Sequence, residues 1–149
     1  KIKFIGQIMI KGVKKSPLKI IPVENGDVMH GLKKGDFGFT DFGEAYFSKI
    51  NPRAIKGWKK HRKMICNFIV PIGKIRVVIF DDKLSVYEEI ILSTENYFRL
   101  TIPPNLWVGF QGIYKHTSLL LNIGSIVHDP SEVESKSIDK IAYDWSVKK

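Results

Sequence analysis

Lys59 and His61 stand two residues apart in the stretch IKGWKKHRKM, which runs from Ile55 to Met64 and packs six cations, His61 included, around Trp58. Histidine exchanges a proton near neutral pH with little help from its surroundings. A lysine ammonium is a compact cation suited to holding an anion. If the stretch is a β-strand, alternation puts Gly57, Lys59 and His61 on one face and Lys56, Trp58 and Lys60 on the other. Two readings then compete. Either the lysines guard an edge strand against aggregation, or Lys59 and His61 point into a pocket that binds an anion.

The flanking sequence supports the strand. CNFIVPI and KIRVVIFDD are short apolar, β-branched runs joined through Pro71-Ile72-Gly73. EEIILS, YFRLTIPP, LWVGFQGI and TSLLLNIG continue the pattern, separated by short segments marked by Gly, Pro, Asn or Asp. GEAYFSKI and AIKGWKKH are strands on the near side. No convincing amphipathic helix exceeds two turns. Many short strands at regular spacing predict an all-β sandwich or closed barrel. In the tail, SEVESKSID reads as a short helix or a polar loop, with Ser131 as a cap for Glu134.

Composition narrows the function classes. The 149 residues fit one domain with a real core, and the 44% hydrophobic and 26% charged shares are ordinary for a globular protein. The net charge of +9 favours acidic partners without choosing among them. Cys66 is the single cysteine, so neither an intrachain disulfide nor a cysteine-based zinc cluster is available. No apolar run reaches the ~18 residues of a membrane span, because Asn122 and Gly124 interrupt SLLLNIGSIV. With no signal-peptide pattern, a cytoplasmic protein is expected. Nucleic-acid binding would need a basic face with interleaved exposed aromatics; Trp58 among lysines matches that only superficially, and the blocks described next argue against it.

GDFGFTDFGEAYFSKINPRAIKGWKKHRKMICNFIVPIGKIRVVIFDD and HDPSEVESKSIDKIAYDW resemble the dTDP-4-dehydrorhamnose 3,5-epimerase-like cupins over residues 26–145. The resemblance implies a double-stranded β-helix, the cupin jelly-roll barrel. It implies a single domain over 1–149, with a barrel core at 26–130 and a C-terminal extension at 131–149. It also implies a cytoplasmic homodimer acting on a nucleotide-diphosphate sugar in bacterial surface-polysaccharide (lipopolysaccharide) biosynthesis, with no membrane or nucleic-acid partner. The cupin skeleton of Gly, His-x-His, Glu and Gly falls here on Gly57, Lys59, His61, Cys66 and Gly73. A protonated lysine has no lone pair for a metal, and one His with one Cys is too few ligands. No metal and no other cofactor is therefore expected.

The resemblance also implies catalytic positions. The family's epimerases use a His in an RGLH block as general base, held by an Asp, with a Tyr across the pocket as acid. Here the block is KGWK, so the base position is Lys59; the Tyr position falls on Asn122 and the Asp position near Asp139. The related 3,4-ketoisomerases carry GxHxH, whose second His is His61. The chemistry implied is proton removal beside the carbonyl of a nucleotide-linked 4-ketosugar, which needs a base and a donor for the enolate oxygen. Lys59, His61 and Asn122 are the catalytic candidates. His61 serves as base, while Lys59 stabilises the enolate, acts as a base with lowered pKa, or holds a phosphate. Arg53, Lys56, Arg62 and Arg76 are candidate diphosphate donors, Asn67 a pocket-rim donor, and Tyr46, Tyr114 and His116 spare acids or binding groups. Trp58 and Trp107 fit a core or interface better than base stacking. A cupin that binds the sugar nucleotide or a glycan without catalysis, and a 3,4-ketoisomerase, are the alternatives.

Overall fold

The computed structural model describes residues 10–146. They form twelve strands: β1 (Lys14–Pro17), β2 (Ile20–Ile21), β3 (Val28–Met29), β4 (Glu44–Ile50), β5 (Ile55–His61), β6 (Cys66–Ile72), β7 (Lys74–Asp81), β8 (Val86–Ser93), β9 (Phe98–Ile102), β10 (Trp107–Gly112), β11 (Ser118–Gly124) and β12 (Val133–Ser135). The first sheet runs β1-β9-β6-β11-β4 and the second β12-β5-β10-β7-β8; β2 and β3 make a small ribbon. Every pairing is antiparallel. The all-β expectation holds, and the tail contributes 3₁₀ turns at Pro130–Glu132 and Ile138–Lys140. Strand β1 belongs to the first sheet, so the sandwich begins before residue 26, and β12 carries the second sheet past residue 130.

The main core lies between the sheets. Ile75, Val77 and Ile79 of β7 meet Cys66, Phe68 and Val70 of β6, with Leu92, Leu100, Ile102 and Leu120 filling the same layer. Alternation sends Val78 to the opposite side of β7, where it joins Trp58, Trp107 and Ile141 in a second cluster. Here the tail straps the outer face of the second sheet. Lys136 and Trp58 exchange backbone hydrogen bonds at 2.8 and 3.0 Å, and the Trp58 indole N–H donates to the Ile138 carbonyl at 3.3 Å. Trp145 tilts against Trp58 at 5.4 Å between ring centroids. Gly109 makes this contact possible: a Cβ there would stand 3.1 Å from both indoles. Gly73, at a φ of +91°, turns β6 into β7, a left-handed conformation that glycine adopts at little cost.

The packing of Trp145 against Trp58 gives a prediction. Trp145→Ala should cost about 2–3 kcal/mol in urea unfolding, below the ~3–5 kcal/mol for a fully buried indole, because Trp145 is half-buried. A loss under ~0.5 kcal/mol would show that the strap contributes little.

Strand β5 departs from strict alternation. Lys59 faces Val108 and Lys56 faces Phe110, so the two residues Gly57 and Trp58 stand against the single Gly109. This β-bulge shifts the parity by one residue. Lys56 therefore joins Lys59 and His61 on the inner side, not the outer side that simple alternation predicts. Trp58 turns outward and is fully buried beneath the tail.

Candidate active site

A cavity of about 200 Å³ opens between the two sheets around the inner face of β5. One wall is Lys56, Gly57, Lys59 and His61 of β5 with Val108 and Phe110 of β10. The other is Tyr46 and Ser48 of β4, Cys66 and Phe68 of β6, and Leu120 and Asn122 of β11. The floor is apolar and the polar groups are few, as small-molecule sites require.

His61 is held from behind. Its Nδ1 lies 2.5 Å from Oε1 of Glu132, whose side chain is only 1% exposed. Oε2 of Glu132 accepts the backbone N–H groups of Lys63 and Met64 at 2.9 and 3.2 Å. Burial works against the carboxylate's charge, but the bonds from His61, Lys63 and Met64 outweigh it and hold its pKa below the ordinary value. A carboxylate only accepts, so Nδ1 carries a proton, and in the neutral ring Nε2 holds the lone pair.

Glu132 is the residue that sequence reasoning missed. Asp129 caps the 3₁₀ turn at Pro130–Glu132 by accepting the Ser131 N–H at 2.9 Å. The expected Ser131 cap on Glu134 does not form; Glu134 pairs instead with Arg62 at 2.7 Å on the surface. Glu132 is thereby directed inward, onto His61. The faint signal was the -D-P-S-E- order, in which a capped turn starting at Pro130 places Glu132 at its end.

On the facing wall, Asn122 and Tyr46 are direct cross-strand partners. Asn122 Oδ1 accepts the backbone N–H of Asn67 at 3.1 Å, and its Nδ2 donates to the Tyr46 hydroxyl oxygen at 2.9 Å. Burial raises the pKa of Tyr46, and the bond from Asn122 opposes that rise. Cys66 lies beneath, and burial pushes its thiol up to about 12, so it is neither nucleophile nor ligand at neutral pH. Among the described residues, no three His, Cys, Asp or Glu side chains gather as a metal-binding group.

Of the expected site residues, Lys59, His61, Asn122, Tyr46 and Lys56 line this cavity. The others lie elsewhere. Asn67 points to the opposite side of β6 from Cys66 and Phe68, where its Oδ1 accepts from Arg99 and Thr101 and its Nδ2 donates to the Gly38 carbonyl. Arg76 points outward beside Val78 and is buried under the tail, donating to Gln111 and to the Trp145 and Ser146 carbonyls. Arg62 follows His61 directly and so faces out. Arg53 and Tyr114 border a separate surface cavity beside the tail, and His116 packs edge-on against Tyr114.

Two facing antiparallel sheets with a largely apolar pocket between them, and a carboxylate-held histidine on its wall, make a cupin-type barrel. No family model matches the sequence. The dTDP sugar isomerase of Desulfovibrio desulfuricans G20 superposes with a TM-score of 0.87 at 34% identity, over 93% of this chain and 95% of that one. The dTDP-4-dehydrorhamnose 3,5-epimerase of Sulfolobus tokodaii shares the fold with a TM-score of 0.80 at 20% identity, over 92% and 84% of the two chains. The probable low-salt glycan biosynthesis epimerase Agl13 of Haloferax volcanii is 28% identical over 106 residues, 67% of this chain and 66% of that protein. The chain belongs to the dTDP-sugar isomerase and epimerase family of cupins.

Proposed function

We propose that the protein is a metal-free epimerase of nucleotide-linked 4-ketosugars, with His61 as the base that removes the proton beside the carbonyl. The observation that carries this reading is the His61–Glu132 pair. A buried carboxylate at 2.5 Å orients the imidazole, which supports its use as a base toward the cavity. The comparisons support it: one relative is a dTDP sugar isomerase and another a probable glycan biosynthesis epimerase, and a protein of the same fold, a 3'-monoepimerase from Streptomyces bikiniensis, holds dTDP-quinovose.

Lys56 and Lys59 supply the charge. They enter no ion pair among the described residues, and Glu132, behind the same wall, is committed to His61. Two uncompensated ammonium groups beside an apolar floor suit the diphosphate of a nucleotide sugar and the developing enolate. Lys56→Ala is expected to raise KM about 10-fold with kcat nearly unchanged, the mark of uniform binding. Lys59→Ala should lower kcat as well, because an enolate contact strengthens only in the transition state. Steady-state kinetics on both variants separates the roles; a pure KM effect at Lys59 would make it a phosphate ligand.

The direct test is proton–deuterium exchange by NMR in D₂O with dTDP-4-keto-6-deoxyglucose. Deuterium entering beside the carbonyl, and lost in His61→Asn, supports the reading. Saturable binding without exchange would replace it with a non-catalytic sugar-nucleotide binder. The same reading includes a cytoplasmic role in surface-polysaccharide synthesis and a homodimer. For the dimer, the outer face of β4, β11 and β6 offers Phe47 and Ile72, 64% and 58% exposed, flanking Leu121 and Leu119. Phe47→Glu should convert a dimer to monomers in analytical ultracentrifugation; a monomeric parent protein would remove that part of the proposal.

A further inference from the structure

The cavity contains a phenol whose hydrogen-bond polarity is dictated by the backbone. Asn122 has one acceptor and one donor end. Its Oδ1 is taken by the main-chain N–H of Asn67, which only donates, so the amide has a single satisfactory orientation. Its Nδ2 must then face Tyr46, and an amide NH₂ cannot accept. The Tyr46 oxygen therefore accepts from Asn122, and its own proton is left for whatever occupies the cavity. Asn122 and Asn67 are 1% and 2% exposed, so water does not compete for these bonds.

Position matters as much as polarity. His61 rises from β5 in the second sheet, and Tyr46 from β4 in the first. A flat enolate between the two walls would present one face to each.

Resting on the epimerase reading, we propose that Tyr46 is the catalytic proton donor on the wall opposite His61, that Asn122 is its positioning residue, and that the reaction therefore inverts the carbon it deprotonates. His61 Nε2 takes the proton from one face. The C–H electron pair becomes the new C=C bond, and the carbonyl pair moves to oxygen. The carbonyl then re-forms, and the carbon takes the Tyr46 hydroxyl proton on the other face. Imidazolium and phenolate remain; His61 returns its proton to water and Tyr46 recovers one. The bond from Asn122 stabilises the transient phenolate, as burial alone would not. The resemblance puts the family's acid at position 122; here an asparagine stands there, and the phenol comes from its cross-strand partner.

Exchange and inversion, measured on the same sample, test this. Tyr46→Phe should keep His61-dependent deuterium exchange within about 5-fold, while inversion falls by about 100-fold or more. Asn122→Asp should do the same, because a carboxylate accepts the phenol proton and turns it out of the cavity. Inversion at the wild-type rate in Tyr46→Phe would overturn the proposal. So would an equal fall of exchange and inversion, which would make Tyr46 a donor to the enolate oxygen only. A second measurement needs no substrate. With ¹³Cζ-tyrosine labelling, Tyr46 should ionise at higher pH in Asn122→Leu than in the wild type; no difference would overturn the assigned polarity. If the wild type itself neither exchanges nor inverts, the epimerase reading fails, and the labelled titration still decides the role of Asn122.

Discussion

Glu132→Gln is expected to leave the fold standing and to lower proton exchange at the substrate by about 10²–10⁴-fold. The reason is the tautomer. The glutamine oxygen still accepts the N–H groups of Lys63 and Met64, now bonded to Oε2. Its NH₂ then faces His61 Nδ1 and can only donate. Nδ1 becomes the acceptor, the proton moves to Nε2, and the nitrogen facing the cavity loses its lone pair. His61→Asn should abolish exchange to a similar degree, and the double variant should be no worse than either single one, because the two residues act as a unit. Additive losses would show that Glu132 acts other than through His61.

The same carboxylate makes stability depend on pH. Its folded pKa lies below the ordinary value of 4.5. A depressed carboxylate contributes stability that is complete above the unfolded pKa and is lost as pH falls through the folded one. The wild type should therefore lose melting temperature more steeply than Glu132→Gln below pH 4.5, and the two profiles should run parallel between pH 6 and 8. Parallel profiles down to pH 3 would mean that Glu132 is not held ionised by the folded state.

The second large effect is expected at Arg99, which is 1% exposed yet fully engaged. It donates to the Gly31 and Phe37 carbonyls at 2.9 Å each and to Asn67 Oδ1 at 3.2 Å, and it pairs with Asp36 at 3.5 Å. One guanidinium thus fastens the segment 31–37 onto the first sheet. Arg99→Met keeps the apolar stem and strands the acceptors; the cost should be about 3–5 kcal/mol. The loss should be local as well as global, with trypsin cutting after Lys33 or Lys34 well before the remaining sites. Resistance to trypsin with a loss under ~1 kcal/mol would show that the segment is held by its other contacts.

Strand content was legible because it depends on local pattern. The β-branched KIRVVIFD run, the Gly73 turn and the alternation in EAYFSKI each record a neighbour-to-neighbour preference, and each strand forms where the pattern predicts. The family blocks carried the barrel and the alignment of Lys59 and His61 with its ligand positions; the structure turns that face into the cavity. Residue type alone makes Arg53, Arg76, Asn67, Tyr114 and His116 candidates, and type does not say which side of a strand a residue takes or what covers that side. Arg76 illustrates this: its β7 neighbours alternate as expected, but only the folded tail shows that its side is roofed by Trp145.

By itself, the sequence determined an all-β chain, a basic strand with Lys59 and His61 on one face, and a cupin skeleton with a lysine and a cysteine at two of its metal-ligand positions. Tertiary structure alone decided which groups complete the chemistry. Glu132 reaches His61 across 71 residues of chain, and Asn122 meets Tyr46 across 76. Such pairs leave no periodic trace, because each partner is set by sheet register and by one bulge at Gly57–Trp58, not by its neighbours in sequence.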